Sequence, residues 1–399
     1  MSVIDHARLG SLLLVCASLS LASCMNVPQM SAPASVTLPA ADLSAPTTMS
    51  DMQTATILDV DIYRPQQRLP ACNLRSLPQA MPDPELAAAL ASASTYSTEA
   101  QGVGLMVLHN GAVVHRSFAD GVDGSTPFAS ASMMKSVMGL LVGIAIEDGL
   151  IGSVDDPLGD YLAEWESDPR GDITLRQLLT MSSGLGPLGF GEFLLAEDAN
   201  AMALTMQLAG EPGAQFYYNN AVSQIVGTVI DRQTRAADRG GFAQYLYDSL
   251  WCPLGNDEAL LWTDETGMPR TYAGLHAGLE DWARIGELIR QNGRVGADQV
   301  VPADWIEDMA GPSAVNDQYG LQMWRAGTWT ERRPYNPDNP IQIYHSAPFA
   351  ADDLVYFDGF GGQRVYVVPS SGLTIVRAGQ VNLEYDDALI PNLLINALE

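Results

Sequence analysis

The chain of 399 residues is long enough for one large core or two closely joined lobes, and its 47% apolar composition is typical of a globular protein. Its 47 acidic and 20 basic residues give a formal net charge of −27. A surface this acidic repels nucleic acid and anionic membranes, and it favours neutral or amine-bearing ligands over carboxylates. We therefore expect no nucleic-acid partner.

The first predicted element is a signal peptide over residues 1–23. An apolar run from Leu9 to Ser23 is too short to span a bilayer and is typical of a signal-peptide core. Residues 21–24 read Leu-Ala-Ser-Cys, which resembles a bacterial lipobox, and an ordinary signal cleaved near Ala22 is the alternative. We expect an exported protein that is periplasmic or held at the outer membrane only by a lipid on Cys24, and that is otherwise secreted.

Residues 24–56 are predicted to form a flexible tether, because they are rich in Pro, Ala, Ser and Thr and lack apolar periodicity. The folded domain is predicted to cover residues 57–399. Two cysteines, Cys72 and Cys252, remain in an oxidising compartment, where either a disulfide or two buried thiols is consistent with the sequence. The histidines are scattered, so we predict no metal site and no cofactor.

Both ends of the domain are predicted to contain strands. A helix-like segment from Asp83 to about Ala93 precedes residues 102–118, which form two strands around Asn110-Gly111, a strong signal for a type I′ hairpin. Three short strands follow within residues 353–379, and an amphipathic segment from Asp386 to Leu398 ends the chain.

These patterns predict a mixed α/β (α+β) fold. Strands from both chain ends, within about residues 84–130 and 340–399, would share one antiparallel sheet flanked by helices. Between them, about residues 131–339 show mainly helical periodicity and would form an inserted lobe. The active site is expected in the cleft between the two lobes.

Lys135 is the only lysine in the chain, and all other basic residues are arginines. The segment from Ser132 to Glu147 is apolar on all sides, which predicts a buried helix. Ser132 and Lys135 lie three residues apart near its start, so their side chains share one face. A serine at a helix start is more often a cap than a nucleophile, but Ser130 is available as the cap. Burial moves the pKa of a lysine towards neutrality, as a general base requires.

Four further segments carry a family resemblance. They are DITLRQLLTMSSGL (172–185), PGAQFYYNNAVSQIVGTVID (212–231), GLHAGLEDWARIGELI (274–289) and FDGFGGQRVYVVP (357–369). With the Ser-x-x-Lys pair, they make residues 100–380 resemble the penicillin-recognising serine hydrolases. This family has a β-lactamase/transpeptidase-like fold and includes class C β-lactamases, DD-peptidases, β-lactamase-like carboxylesterases and 6-aminohexanoate-dimer hydrolases. The sequence of these segments most resembles the last two branches.

The resemblance implies the catalytic roles. Ser132 would attack a carbonyl to form an acyl-enzyme, and neutral Lys135 would accept its proton directly or through the Tyr218 phenolate. Tyr218 would then pass a proton to the leaving group. Asn220 would orient Lys135 or the substrate carbonyl.

The resemblance also implies an oxyanion hole, with backbone amides of Ser132 and Phe360 as donors and Gly359 and Gly361 beside them. Where β-lactamases and peptidases carry Lys-Thr-Gly or His-x-Gly, residues 357–359 read Phe-Asp-Gly. The basic residue for a substrate carboxylate is missing. We therefore expect small uncharged esters or linear amides as substrates, with β-lactams or D-amino-acid peptides as the alternative.

Two other interpretations are consistent with the same sequence. A penicillin-binding sensor would be acylated at Ser132 without turnover. A surface lipoprotein would use the fold for binding alone, although its catalytic residues are intact.

Overall fold

The structure, a computed structural model, describes residues 36–399, and the predicted signal peptide and Cys24 lie outside the described residues. The α-helices of residues 36–399 are α1 (Met49–Thr54), α2 (Pro84–Glu99), α3 (Met134–Glu147), α4 (Leu175–Leu179), α5 (Phe190–Leu194), α6 (Ala199–Leu204), α7 (Asn220–Ala236), α8 (Phe242–Leu246), α9 (Cys252–Leu254), α10 (Leu279–Arg290), α11 (Ala303–Ala310) and α12 (Leu389–Asn396). None of these helices is both long and apolar enough to cross a membrane.

The β-strands of the same residues are mostly short. They are β1 (Gln66–Leu69), β2 (Gly102–His109), β3 (Ala112–Phe118), β4 (Phe128–Ala129), β5 (Ala259–Trp262), β6 (Leu275–Ala277), β7 (Arg294–Val295), β8 (Asp298–Gln299), β9 (Trp324–Arg325), β10 (Arg332–Pro334), β11 (Gln342–Tyr344), β12 (Val355–Gly359), β13 (Gln363–Val368) and β14 (Leu373–Gly379).

The main sheet joins the two ends of the domain, as predicted. Within residues 36–399 its strand order is β3-β2-β14-β13-β12-β9, with every neighbouring pair antiparallel. β2 and β3 form the predicted hairpin. Asn110 and Gly111 at its turn have φ values of 51° and 81°, which a type I′ turn requires. The prediction of a mixed fold around an antiparallel sheet is confirmed.

The segment assigned from sequence to the helical lobe is not helical throughout. Among the described residues, β5 and β6 belong to a second antiparallel sheet in the order β1-β5-β6-β4. The next element, α10, packs on β13 and β14 of the main sheet. Residues 259–290 therefore belong structurally with the sheets, because the apolar face of α10 is buried there.

α3 is the central helix of the helical lobe, and every residue from Met134 to Ala145 is buried. α11 approaches it closely at Gly143, where an added Cβ would lie 2.1 Å from Trp305 Cδ1. The Trp305 indole also donates a hydrogen bond of 2.9 Å to the Gly139 carbonyl. This packing fixes the helix whose first turn carries Lys135.

Residues 37–56, which the sequence assigned to the tether, belong to the compact unit of residues 37–399. Asp42 and Gln66 exchange backbone hydrogen bonds of 2.7 and 3.2 Å, and the Thr47 hydroxyl donates to the Ile62 and Arg64 carbonyls. These hydrogen bonds hold the segment, and Leu38 and Met52 also pack against the hydrophobic core. The tether assigned from composition is therefore too long at its C-terminal end.

Cys72 and Cys252, whose pairing the sequence left open, form a disulfide with Cα atoms 5.0 Å apart. It links the segment after β1 to the start of α9. Their sequence separation is 180 residues.

Candidate active site

Ser132 lies in a single turn of 3-10 helix, Ala131–Met133, immediately before α3. Ala131 has a φ of 49°, in the left-handed region that is unfavourable for a residue with a Cβ. The expected capping role of Ser130 is wrong, because its hydroxyl donates to the Leu275 carbonyl. That contact instead ties the turn to β6 of the second sheet.

Oxygen atoms enclose the Lys135 amino group at the start of α3. Its Nζ donates to Ser132 Oγ at 2.8 Å, Asn220 Oδ1 at 2.8 Å and the Tyr272 carbonyl at 3.0 Å. The residue is only 1% exposed. Burial lowers the pKa of Lys135 to about 7, against the opposing effect of the Asp358 charge. A large share of the side chain is thus neutral at physiological pH.

Tyr218 lies beside this pair. Lys135 Nζ is 4.8 Å from the centre of its ring. Burial raises the pKa of Tyr218, and the Asp358 charge adds to the rise, while a hydrogen bond with Ser132 and the charge of Arg333 oppose it. The phenol is therefore protonated at neutral pH and is suited to donate a proton.

Asn220 is the first residue of α7, and Asn219 caps that helix by accepting from the Ala221 amide at 3.0 Å. α7 packs against α3, and its first residue reaches Lys135. Of the two roles that the sequence left open for Asn220, contact with Lys135 is the one that the geometry provides.

The end of β12 lies against the turn that carries Ser132. An added Cβ at Gly359 would lie 2.4 Å from the Ser130 carbonyl and 3.1 Å from Met133 Cγ. Phe360 follows directly and its side chain is 41% exposed, while Gly361 has a φ of 80°. The structure thus brings the predicted residues 359–361 beside the turn that carries Ser132. The part of the Phe360 amide in an oxyanion hole stays a prediction.

Asp358, the acid noted in the Phe-Asp-Gly segment, is buried and paired. Arg333 Nη2 donates to one carboxylate oxygen, and the other lies 2.8 Å from Arg364 Nη1. The Tyr335 hydroxyl also donates to Asp358, at 2.9 Å. The acid is therefore not a free negative charge at the substrate site.

Sequence reasoning missed two contributors to the site. The Tyr272 carbonyl accepts from Lys135, and a backbone acceptor has no signature in the sequence. Arg333 lies on β10, outside every motif, and contacts Asp358 only through the tertiary fold. No local pattern could have identified either group.

Two histidines of the domain lie in its core. Burial lowers the pKa of His276 and of His345 to about 3, so both are neutral core residues. Within residues 36–399, His, Cys, Asp and Glu side chains form no group of three or more that could hold a metal ion. The expected absence of a cofactor stays a prediction.

The chain is similar to proteins of a known family. A family model described as Beta-lactamase matches residues 86–396. The 6-aminohexanoate-dimer hydrolase of Paenarthrobacter ureafaciens is 23% identical over 223 residues, which cover 50% of this chain and 56% of that protein.

Solved structures share the fold. A Bacillus anthracis protein provisionally described as a 6-aminohexanoate-dimer hydrolase matches with a TM-score of 0.69 at 20% identity, over 86% of this chain and 92% of that chain. EstCE1, a hydrolase with promiscuous acyltransferase activity, matches with a TM-score of 0.60 at 15% identity, over 79% of this chain and 98% of that chain.

Proposed function

Because the chain belongs to the β-lactamase family, we propose that it is a serine hydrolase that cleaves carboxylic ester or linear amide bonds through an acyl-enzyme. The observation that carries the proposal is the buried contact of 2.8 Å between Lys135 Nζ and Ser132 Oγ. A serine hydroxyl beside a buried amine whose pKa is lowered towards neutrality is an activated nucleophile.

In the proposed mechanism, Ser132 Oγ attacks the substrate carbonyl and its proton passes to neutral Lys135. The resulting ammonium is held by the Asn220 side chain and the Tyr272 carbonyl, which already accept from Nζ. Lys135 is the base rather than a Tyr218 phenolate, because the pKa of Tyr218 is raised while that of Lys135 is lowered.

Tyr218 then acts as the general acid. Its protonated phenol donates to the leaving oxygen or nitrogen and recovers a proton from Lys135. Deacylation uses the same groups in reverse. Water attacks the acyl carbonyl and gives its proton to the Tyr218–Lys135 pair, which returns a proton to Ser132 Oγ. Backbone amides of Ser132 and Phe360 would stabilise the oxyanion. The close approach of residues 359–361 to the turn that carries Ser132 supports this assignment.

The residues around β12 support the proposed substrate class. Phe357-Asp358-Gly359 offers no cation for a carboxylate, and Asp358 is occupied by arginines. Two exposed apolar residues, Phe360 and Val381, lie next to this strand end. The Cα of Val381 would lie 2.7 Å from a Cβ added to Gly361. An uncharged ester or linear amide with an apolar group fits these surroundings. The relatives named 6-aminohexanoate-dimer hydrolase are consistent with a substrate of this class.

A turnover screen tests the proposal. The substrates are p-nitrophenyl esters, nitrocefin, D-amino-acid amides and linear 6-aminohexanoate oligomers, each measured with the wild type and with Ser132→Ala. We expect ester or linear amide turnover that depends on Ser132 and exceeds nitrocefin turnover by orders of magnitude. Activity retained in Ser132→Ala would refute the mechanism, efficient nitrocefin turnover would indicate a β-lactamase, and a single burst of acylation would indicate a sensor.

Export remains a proposal that rests on residues 1–24 alone. We propose that Cys24 is lipidated and that the hydrolase is attached to a membrane by that lipid. Metabolic labelling with radioactive palmitate should mark the wild type in a bacterial host and should not mark Cys24→Ala. Labelling of both proteins, or of neither, would contradict the anchor.

A further inference from the structure

Arg333 is a buried cation next to the candidate active site. It is 1% exposed, and its guanidinium lies 3.5 Å from the centre of the Trp324 ring and 5.1 Å from that of Tyr335. These two rings are themselves 5.7 and 5.2 Å from the ring of Tyr218. One layer of aromatic rings therefore separates Arg333 from the proposed general acid.

Asp358 connects Arg333 to the catalytic pair. The carboxylate accepts from Arg333 Nη2, and its charge acts on Lys135 and on Tyr218, raising the pKa of each. An uncompensated negative charge here would keep Lys135 protonated, which is the inactive form of a base.

Arg364 cannot neutralise this carboxylate alone. It is shared between Asp358, at 2.8 Å from Nη1, and Asp387, at 2.9 Å from Nε. The buried cluster of Arg333, Asp358, Arg364 and Asp387 thus contains two cations and two anions. Without Arg333 it would carry one excess negative charge behind the active site.

We propose that Arg333 is a positioning residue of this hydrolase, which pairs with Asp358 and thereby keeps Lys135 available as a neutral base. The inference rests on the proposed function. It assigns a role to a residue of the β10–β11 hairpin that no motif of the sequence includes.

A purely structural role accounts poorly for this arginine. Its Nε and Nη1 are buried and have no hydrogen-bond partner in the described part of the chain. Burying a guanidinium with unsatisfied donors is costly, and an apolar side chain could pack on Trp324 without that cost. Compensation of the Asp358 charge explains why a cation occupies the position.

Any test must distinguish the effect of Asp358 from the effects of other charged and titratable groups in this region. The charged and titratable groups that face Lys135, Tyr218 or the buried cluster from neighbouring elements are Ser132, Tyr272, Tyr319, Tyr335, Tyr356, Tyr366, Tyr385, His345 and Arg377. Burial raises the pKa of Asp387 to about 6, so Asp387 also titrates near the expected acidic limb. Substituting Asp358 leaves Asp387 in place and distinguishes the two acids.

The experiment compares pH profiles of kcat/KM on the best ester from the turnover screen. In Arg333→Met the acidic limb should move to higher pH by about one unit or more, the usual effect of an unpaired neighbouring charge, with roughly tenfold lower activity at pH 7 that recovers at high pH. Arg333→Lys should retain most of the wild-type profile. The matched control is Arg332→Met, since Arg332 lies on the same strand but pairs with Glu384 at the surface.

A rescue variant makes the test specific for charge. Adding Asp358→Asn to Arg333→Met should return the acidic limb to its wild-type position or below. Coincident profiles for wild type and Arg333→Met would overturn the inference, and so would an equal loss at every pH without rescue, which indicates a structural role. Activity that does not depend on Ser132 would refute the proposed function instead. Thermal unfolding of each variant confirms that it is folded.

Discussion

Lys135 combines the features of a base in one side chain. Burial disfavours its ammonium form and lowers its pKa to about 7, while the Asn220 side chain and the Tyr272 carbonyl accept from Nζ and hold it 2.8 Å from Ser132 Oγ. A guanidinium keeps the positive charge but cannot deprotonate in a protein. Charge and basicity can therefore be separated at this position by substitution.

Lys135→Arg should lower kcat/KM by about 10²–10⁴, the usual scale for loss of a general base. For the wild type, kcat/KM should rise with pH and level off above about pH 7, because the neutral amine is the active form. The measurement is kcat/KM across pH, with folding checked by circular dichroism. A folded variant within tenfold of the wild type would show that Lys135 is not the base.

Lys135 should also reduce stability. Its ordinary pKa of 10.5 falls to about 7 on folding, so between these pH values the unfolded chain binds a proton that the folded protein does not. Stability from this site therefore rises with pH through that window and is lowest below about pH 7.

Lys135→Met should accordingly raise the free energy of unfolding at pH 7 by roughly 1–3 kcal/mol while abolishing activity. The gain should shrink towards pH 10, where the wild-type lysine is neutral in the folded protein and closer to neutral in the unfolded chain. Urea unfolding at pH 7 and pH 9.5 measures both values. A variant less stable than the wild type at pH 7 would contradict the prediction.

At the scale of elements, the site depends on how closely β12 approaches the turn before α3. Gly359 permits this approach, because an added Cβ would lie 2.4 Å from the Ser130 carbonyl. The backbone oxygen cannot rotate away as a flexible side chain could. Strand and turn must therefore separate if Gly359 is enlarged.

Gly359→Ala should lower kcat by about 10–10²-fold by displacing the Phe360 amide, and it should destabilise the fold by about 1–3 kcal/mol. Gly210→Ala is the matched control, since no atom lies within 4 Å of an added Cβ there. Steady-state kinetics and urea unfolding of both variants test this. Unchanged kcat in a folded Gly359→Ala protein would remove residues 359–361 from the mechanism.

On the scale of the whole molecule, the Cys72–Cys252 disulfide closes a loop with a sequence separation of 180 residues. A long closed loop restricts the unfolded chain strongly, so replacing both cysteines by serine should lower the free energy of unfolding by about 2–4 kcal/mol. Activity should persist, because the bridge joins the segment after β1 to α9 and not the elements that carry Ser132, Lys135 and Tyr218. Urea unfolding of the double variant measures the loss, and a change below about 0.5 kcal/mol would show that the bridge does not stabilise the fold.

The sequence by itself determined features that depend on near neighbours. Ser132 and Lys135 are three residues apart, and helical geometry alone brings such side chains together. The hairpin at Asn110-Gly111 follows from the backbone preferences of its two turn residues. Tyr218 and Asn220 could be placed beside this pair only because their motif resembles a known family.

Only the tertiary structure decided contacts between segments without local signals. An amphipathic face predicts that α10 is buried but not on which surface, so its place on the main sheet could not be read from its sequence. Residues 37–56 attach through hydrogen bonds and a few isolated apolar contacts, which composition does not reveal. The pairing of Arg333 with Asp358 joins an irregular hairpin to β12, and the resulting charge balance exists only when the folded chain excludes water from both groups.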